Sequence, residues 1–458
     1  MQDGPNQMTR RSFLAGTAAI AGAAVSSPSD AKAETANRVK RADRLNVAVV
    51  GAGGRGADNI NDLRETAVNI VALCDCDQGR AAETFKLYPK AAKYTDWRRM
   101  FEKEKSFDAV LVATPDHNHA IISIAALKLG KHVYCEKPLA HSVWEVRQMA
   151  KTAREMKAVT QMGTQGHAYE GTRRAVEVIR SGAIGDVAEL HVWTDRPAGW
   201  WAQGVVRPRD SPPVPTGLDW DVWLGPAPQR PYNPAYVPFA WRGFWDFGTG
   251  AIGDMGIHNL DTAFWALGLG APTEVEIKEC SPVITGPEIK ETAPLWSVIE
   301  FRFPARKGMP PVKMTWYDGG KLPPEELFQG EPRVSKDGGS LVIGSKGTLF
   351  TRTWHGGENA TDMFVLLPRK QFVDYVPPSP TLPRTRSHHH EWVDACRGLT
   401  ETQSPFTYAA VLTESLLLGN VALRTGKKIE WDAPKMRAKD CPEAARFVHP
   451  EFRKGWKL

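Results

Sequence analysis

The sequence predicts an α/β protein whose N-terminal part is a doubly wound parallel sheet. Three observations carry that prediction. The apolar run Asn46-Val47-Ala48-Val49-Val50 is rich in β-formers and stops at Gly51, and glycines follow at 53 and 56 before a polar-faced helix pattern begins. A similar run, Asn69-Ile70-Val71-Ala72-Leu73-Cys74, ends at Asp75. From Leu45 onward, strand-like and helix-like patterns alternate with short links, which demands parallel strands and right-handed crossovers.

Taken in order, strands are expected at 45–50, 68–74, 108–113, 132–135 and 159–162, and helices at 54–65, 78–87, 96–104, 117–129 and 141–157. The glycine stretch reads G-x-G-x-x-G directly after a strand and opens a helix, the context in which this motif marks a Rossmann dinucleotide site. Gly51 permits the tight turn. Gly53, with Gly54 and Arg55 beside it, lets the backbone approach a pyrophosphate. Gly56 lets helix and strand pack closely, and the free N–H groups of the helix start face the phosphates. Asp75 stands 22 residues after Gly53, where an acid takes the ribose hydroxyls of NAD. A carboxylate there repels a 2′-phosphate, so NAD is expected over NADP, although Arg80, one turn on, is placed to reach a phosphate.

At 458 residues and 42% hydrophobic, the chain has room for two domains. A net charge of +6, scattered along the chain, does not argue for nucleic acid. Six cysteines show no zinc spacing, and free buried thiols are the expectation. Of the 16 tryptophans, eight fall between Trp193 and Trp265, where flat rings serve either sugar binding or core packing. Thr9-Arg10-Arg11-Ser12-Phe13-Leu14 is a twin-arginine pattern, followed by a short Ala/Gly-rich apolar run and the A-x-A site Ala31-Lys32-Ala33. Residues 1–33 therefore read as a leader for export to the periplasm or cell envelope. They are too short and too mildly apolar for a stable membrane anchor. Residues 34–44 read as a linker, 45–163 as the Rossmann domain and 164–458 as a second domain.

Two motifs follow the glycine loop. Thr114-Pro115-Asp116-His117-Asn118-His119 leaves a buried strand and starts a helix beside the cofactor cleft. His-x-His invites a metal, but no third ligand is near in sequence, and none is expected. Glu136-Lys137-Pro138 ends the next strand, which puts Lys137 at the carboxyl edge of a parallel sheet, where such folds bind ligands. A third stretch, Trp245 to Asp261, runs from a glycine-rich approach into a helix bearing Asp254, His258 and Asp261 at i, i+4 and i+7, on one face. His258 suits a general base for an alcohol, and Asp254 is placed to orient its imidazole.

These motifs, in this order, resemble the Gfo/Idh/MocA family of sugar oxidoreductases, from about Leu45 to the C-terminus. The resemblance implies a Rossmann domain followed by an α/β domain with a large open mixed sheet. One face of that sheet covers the cleft and the other makes a subunit interface, so a homodimer or homotetramer is expected. It also implies a working set of a lysine, an aspartate and a histidine, which fall on Lys137, Asp254 and His258. Trp241-Arg242 resembles a pair that lines the nicotinamide–substrate junction in some members. Thr114, Pro115, His117, His119, Glu136 and Gln165 are expected around the cofactor, and His167 and Arg242 around the substrate. His388-His389-His390 reads first as a solvated helix start, with one of the three a further candidate for the substrate.

The implied activity is hydride transfer between a tightly bound NAD(P) and a ring hydroxyl of a sugar or glycoside. Outside the cytoplasm a bound cofactor must be recycled in place. That leaves open a redox-neutral glycosidase resembling NAD-dependent α-N-acetylgalactosaminidases, which oxidise, eliminate and reduce again. A non-catalytic sugar-binding protein that keeps NAD as a structural part is the third reading.

For the second domain, the pattern predicts a helix at 171–181, a strand at 187–194, a long Pro/Gly/Trp-rich segment from 196 to 250, and strands at 272–280, 295–303, 312–317, 340–343, 347–351 and 362–367. Helices are expected near 387–397 and 408–425, an exposed insertion at 318–339, and a polar tail.

Overall fold

The computed structural model describes residues 44–282, 291–306, 308–330, 337–352 and 364–458. The leader expected at 1–33 and almost all of the linker lie outside the described residues.

The first half builds β1 (Leu45–Val50), α1 (Arg55–Leu63), β2 (Val68–Cys74), α2 (Ala82–Leu87), β3 (Ala92–Tyr94), α3 (Trp97–Lys103), β4 (Ala109–Val112), α4 (Asp116–Lys128), β5 (His132–Glu136), α5 (Val143–Glu155) and β6 (Thr160–Gly163). All six strands are parallel, in the order β3-β2-β1-β4-β5-β6. The order reverses between β1 and β4, the switch point at which such sheets open a crevice. The burial pattern explains the strand choice: β4 and β5 are buried at every residue, as a sheet covered on both faces requires. Ser142 caps α5 by accepting from the Glu145 N–H, and its hydroxyl donates to the Glu145 carboxylate at 2.8 Å, a side-chain variant of the capping box. Sequence periodicity missed β3, whose three residues pair only with β2 at the sheet edge.

The second half adds α6 (Glu170–Arg180), β7 (Val187–Thr194), α7 (Trp220–Leu224), α8 (Gly250–Leu267), β8 (Glu274–Cys280), β9 (Ser297–Phe303), β10 (Val312–Tyr317), β11 (Gly338–Gly344), β12 (Gly347–Arg352), β13 (Phe364–Leu367), α9 (His388–Cys396), α10 (Phe406–Thr425), β14 (Ile429–Asp432) and β15 (Arg437–Ala438). The strands form a nine-stranded sheet, β13-β12-β11-β7-β10-β9-β8-β14-β15. It is mixed, because β7 runs parallel to β10 and antiparallel to β11. The tail is thus less irregular than its polarity implied: β14 and β15 extend the sheet past β8. Within 318–339 the described residues are not simply an exposed insertion. Asp318 is buried, and Phe328 packs its ring 5.7 Å from Trp193 and 6.0 Å from Phe350.

One apolar core runs from Val110, Val133 and Cys135 of the first sheet, across α5 and α10, to Ile299, Phe301 and Trp316 of the second. The 20-residue α10 is long and apolar enough to cross a membrane by composition, yet 78% of that window is buried inside the protein. The C-terminal part also returns to the first sheet, where Trp392, Val393 and Cys396 of α9 join the core beside Val47, Val49 and Leu111. A buried ion pair between Arg173 of α6 and Glu391 of α9 fixes that return. The cysteines among these residues are all free thiols. Of the eight tryptophans between 193 and 265, six are buried and only Trp200 is broadly exposed, so packing accounts for most of them.

Candidate active site

A cavity of about 540 Å³ opens at the carboxyl ends of the first sheet's strands, between the glycine loop and the start of α8. Its floor begins with Gly51, Gly53, Gly54 and Arg55. Gly51 has φ +85°, and a Cβ there would stand 2.6 Å from the Ala113 carbonyl oxygen, so only glycine turns here. Gly56 does not line the cavity; it sits against Gly51, where a Cβ would collide with the Gly51 carbonyl. Gly53 and Gly54 lie under the side chain of Arg80. Among the described residues, none accepts from the N–H groups of Gly54 or Arg55 at the head of α1. A bare, positively polarised N–H cradle of this kind fits the pyrophosphate of a dinucleotide.

Asp75 closes the far end. One carboxylate oxygen accepts the Gly53 N–H and the other the Asp77 N–H, each at 2.9 Å, and burial pushes its pKa up. Thr114 and Pro115 continue the wall. Glu136 lies deeper, accepting from Asn59 and Gln165 at 2.9 Å and from Arg55 at 3.1 Å. Burial disfavours its charge, but Arg55 and these donors outweigh that and lower its pKa. Glu136 thereby ties α1, the end of β5 and the turn after β6 into one frame.

At the opposite end stand Lys137, Gln165, Arg196, Trp200, Phe239, Trp241, Arg242, Asp254 and His258. The Lys137 ammonium donates to Asp254 Oδ1 at 2.6 Å and to the Asp254 backbone carbonyl at 3.1 Å. Arg242 Nε donates to the same Oδ1 at 3.3 Å, and Arg196 Nη1 donates to Oδ2. Burial alone would raise the Asp254 pKa; Lys137, Arg242 and Arg196 outweigh it and hold the carboxyl far below its usual range. Asp254 is therefore the counter-ion of three cations. Asp254 and His258 stand one turn apart on α8, and Lys137, just past the end of β5, bonds to the carboxylate. His258 is partly exposed on the cavity wall, its Nδ1 3.5 Å from Thr164 Oγ1.

Three expected site histidines lie outside the lining. His117 Nδ1 stands 3.2 Å from the Phe247 carbonyl, its Nε2 faces the Trp223 carbonyl and Asn118, and burial lowers its pKa to about 3. His119 has both ring nitrogens at 2.8 Å from carbonyls, of Pro138 and Thr114, which two N–H donors satisfy. Burial opposes a charge on it, but Cys135, Asp116 and the Pro138 carbonyl raise its pKa to about 10. His167 is fully buried: its Nδ1 pairs with Asp261 at 2.7 Å, and its ring stacks 3.9 Å from Trp265. It braces α8 from behind and is not a substrate contact. His388, His389 and His390 bond to Met162, Asn59 and Glu65 respectively, docking α9 on the first sheet. Among the described residues, no group of three His, Cys, Asp or Glu is arranged to hold a metal ion.

Sequence reasoning missed Arg196, Trp200 and Phe239. Arg196 follows the carboxyl end of β7, the sort of position that faces a cleft, and that was the available signal. It also missed that the long segment clamps the cleft. The Gln78 N–H donates to the Gly217 carbonyl at 2.9 Å, and the Asp219 N–H donates to the Cys76 carbonyl at 2.8 Å.

The fold and this constellation define an NAD-binding oxidoreductase, and comparison with known proteins says which. Residues 45–164 match the Gfo/Idh/MocA oxidoreductase family's NAD-binding Rossmann fold, and residues 173–303 match its C-terminal α/β domain. The chain belongs to that family. Inositol 2-dehydrogenase of Salmonella typhimurium is 30% identical over 151 residues, 32% of this chain and 45% of that protein. A 2,7-anhydro-N-acetylneuraminate hydratase of Mediterraneibacter gnavus is 32% identical over 145 residues, 31% of this chain and 38% of that protein. The matched part is thus less than half the length of either relative. The WlbA dehydrogenase of Bordetella pertussis, solved with NADH and UDP-GlcNAcA, superposes with a TM-score of 0.56 at 17% identity, covering 85% of this chain and 99% of that one, a likeness of fold.

Replacing Asp254 by Asn leaves three clustered cations without their counter-ion. A loss of about 3–5 kcal/mol in unfolding free energy is expected at neutral pH. Because the folded pKa of Asp254 is depressed, its contribution is complete above about pH 4 and fades as pH falls further. Denaturant titrations should therefore show the gap between wild type and Asp254→Asn narrowing only below about pH 4. A gap that stays constant well below pH 4, or that narrows already above it, contradicts the three-cation account.

Proposed function

We propose that the protein is an exported, NAD-dependent oxidoreductase acting on a ring hydroxyl of a sugar or glycoside. The observation that carries this reading is the meeting of Lys137 and His258 on the wall of the cavity that also holds the bare N–H cradle and Asp75. NAD, when bound, supplies the hydride acceptor or donor. Gly53, Gly54, Arg55 and Asp75 would hold it, with Thr114, Pro115 and Gln165 along the wall.

The chain's own residues do the rest. An ammonium has three N–H donors. Lys137 gives one to Asp254 Oδ1 and one to the Asp254 carbonyl, which leaves one for the substrate oxygen. Asp254, held ionised by three cations, keeps that lysine in place and does not move. His258 takes the hydroxyl proton in oxidation and returns it in reduction, as a positioned general base. Arg242 and Trp241 border the same space. Clamping by 217–219 limits water entry at the adenosine end.

The same set serves a redox-neutral route in which oxidation is followed by elimination or addition and then reduction; the resemblance to a protein named as a hydratase supports it. The twin-arginine pattern at Thr9 to Leu14 supports periplasmic or envelope residence. For assembly, helices α6, α8 and α10 cover one face of the nine-stranded sheet, and Val298, Ile343 and Val365 on the other remain partly exposed, which supports a homodimer or homotetramer.

Lys137→Ala and His258→Ala should each keep cofactor binding but cut turnover by about 10² to 10⁴. The two losses should not add, because both act on one proton transfer. Near-normal turnover in His258→Ala sinks the base assignment. Following NADH absorbance and released sugar in one assay separates net oxidation from the redox-neutral route. Twin-arginine export is expected to place the protein in the periplasmic fraction, and a lysine pair in place of Arg10 and Arg11 should retain it in the cytoplasm. Light scattering should show a mass of two or four chains; a monomer refutes the assembly.

A further inference from the structure

The substrate end of the cavity is richer in cationic donors than the proposed chemistry requires. Lys137, Arg196 and Arg242 converge on one carboxylate, Asp254. Asp116, a further acid of the lining, is buried, accepts from Thr249 at 2.8 Å, and burial pushes its pKa up. Glu136 is matched by Arg55. Cations therefore outnumber carboxylates around the space beside His258, with Lys137, Arg196 and Arg242 against Asp254 and Asp116.

The guanidiniums are also underused. Each carries five N–H donors. Arg196 gives one to Asp254, and Arg242 gives one to Asp254 and one to the Phe239 carbonyl. Among the described residues, nothing accepts the others, although the Arg196 side chain is only 9% exposed. Aromatic faces hold both groups in place. Arg196 lies 4.0 Å over Trp200, and Arg242 lies 4.0 Å over Phe239 and 4.3 Å over Trp241. A fixed planar fork with free donors, lining a cavity, is a receptor for an oxyanion, because carboxylate and phosphate oxygens match its spacing.

We propose that the sugar taken here carries an anionic oxygen substituent, a ring carboxylate or a phosphate ester, seated between Arg196 and Arg242. The proposal rests on reading the cavity as a sugar site, and it names the class of sugar. Asp254 then has a second effect: by gathering three cations into one corner it presents the two guanidiniums together. A neutral sugar would leave their donors to water.

The test uses full-length, NAD-loaded protein and a panel of hexoses, each with its uronate and its 6-phosphate, with binding followed by calorimetry. At least one anionic form is expected to bind tenfold or more tighter than its neutral parent, and the advantage should shrink as salt rises. Whether uronate or phosphate leads identifies the group. Arg196→Gln and Arg242→Gln should each reduce that advantage to threefold or less. Arg196→Lys keeps a charge on Asp254 but loses the fork; it should fold like wild type and still lose at least fivefold in affinity for the anion. A panel in which no anionic form outbinds its neutral parent overturns the proposal, as does an advantage untouched in all three variants. Oxidation of a neutral sugar without any anion preference sinks this proposal alone. Anion preference with neither NAD reduction nor turnover of any sugar or glycoside sinks the proposed activity and leaves this proposal standing.

Discussion

Asp254 joins four parts of the chain that are distant in sequence. Lys137 comes from the end of β5 in the first sheet, Arg196 from just past β7 in the second, Arg242 from the 3₁₀ turn before α8, and Asp254 itself from the first turns of α8. A buried carboxylate is costly unless several donors share it. Here three cations do so, and each cation in turn needs the carboxylate. Remove the acid and Lys137 loses its anchor, while the two guanidiniums repel each other. The shape of the substrate end therefore follows from one charge, and the groups that meet it cannot be rearranged singly.

The segment from 196 to 250 shows how an irregular chain can be rigid. Its aromatic cluster, Trp220, Trp223, Tyr232, Tyr236, Trp241, Phe244 and Phe247, supplies a private core. Trp220 and Trp223 stack at 4.7 Å, and Phe247 meets Trp223 edge-on at 4.8 Å. His117, at the head of α4, rivets this cluster to the first sheet, its ring 5.2 Å from Trp223 and 5.3 Å from Phe247. The neutral ring suits the task, since a charge would be expensive among aromatics. A ligand reaching from the glycine loop to Lys137 lies between this segment and the sheet, so the segment's backbone bonds to Cys76 and Gln78 stand across its exit.

Most of the first sheet was legible because its signals are local. Gly51 and Gly56 are dictated by close approach of backbone, and β4 announces itself by an unbroken apolar run. The pairing of Lys137 with α8 was legible only as a family pattern, and its geometry was not. Sequence spacing put Asp254 beside His258 on one helix face, but it could not show that residues from β5 and β7 would compete for the carboxylate. The histidines failed for a related reason. An imidazole near a cleft motif looks functional, yet His119 is held by Pro138 and Thr114 and His167 pairs through Nδ1 with Asp261, and Pro138 and Asp261 come near only in the fold. β3, β14 and β15 were missed because two to four residues do not establish a period.

Charge is distributed unevenly along the cavity, and that orders what can bind in it. At one end stand Asp75 and Asp77, with Arg80 folded back over Gly53 and Gly54. In the middle, the N–H groups at the head of α1 present a partial positive charge. At the other end, Lys137, Arg196 and Arg242 outnumber Asp254. A dinucleotide has ribose hydroxyls on both sides of a central phosphate bridge, so one ribose matches the acidic end and the phosphates match α1. The same gradient leaves the arginines for the second ligand, so one set of fixed charges holds the cofactor's phosphates and favours an anionic substrate. Arg80 is the one group that works across this arrangement. Because it already lies over the glycine loop, its charge reinforces the phosphate site more than it opposes Asp75.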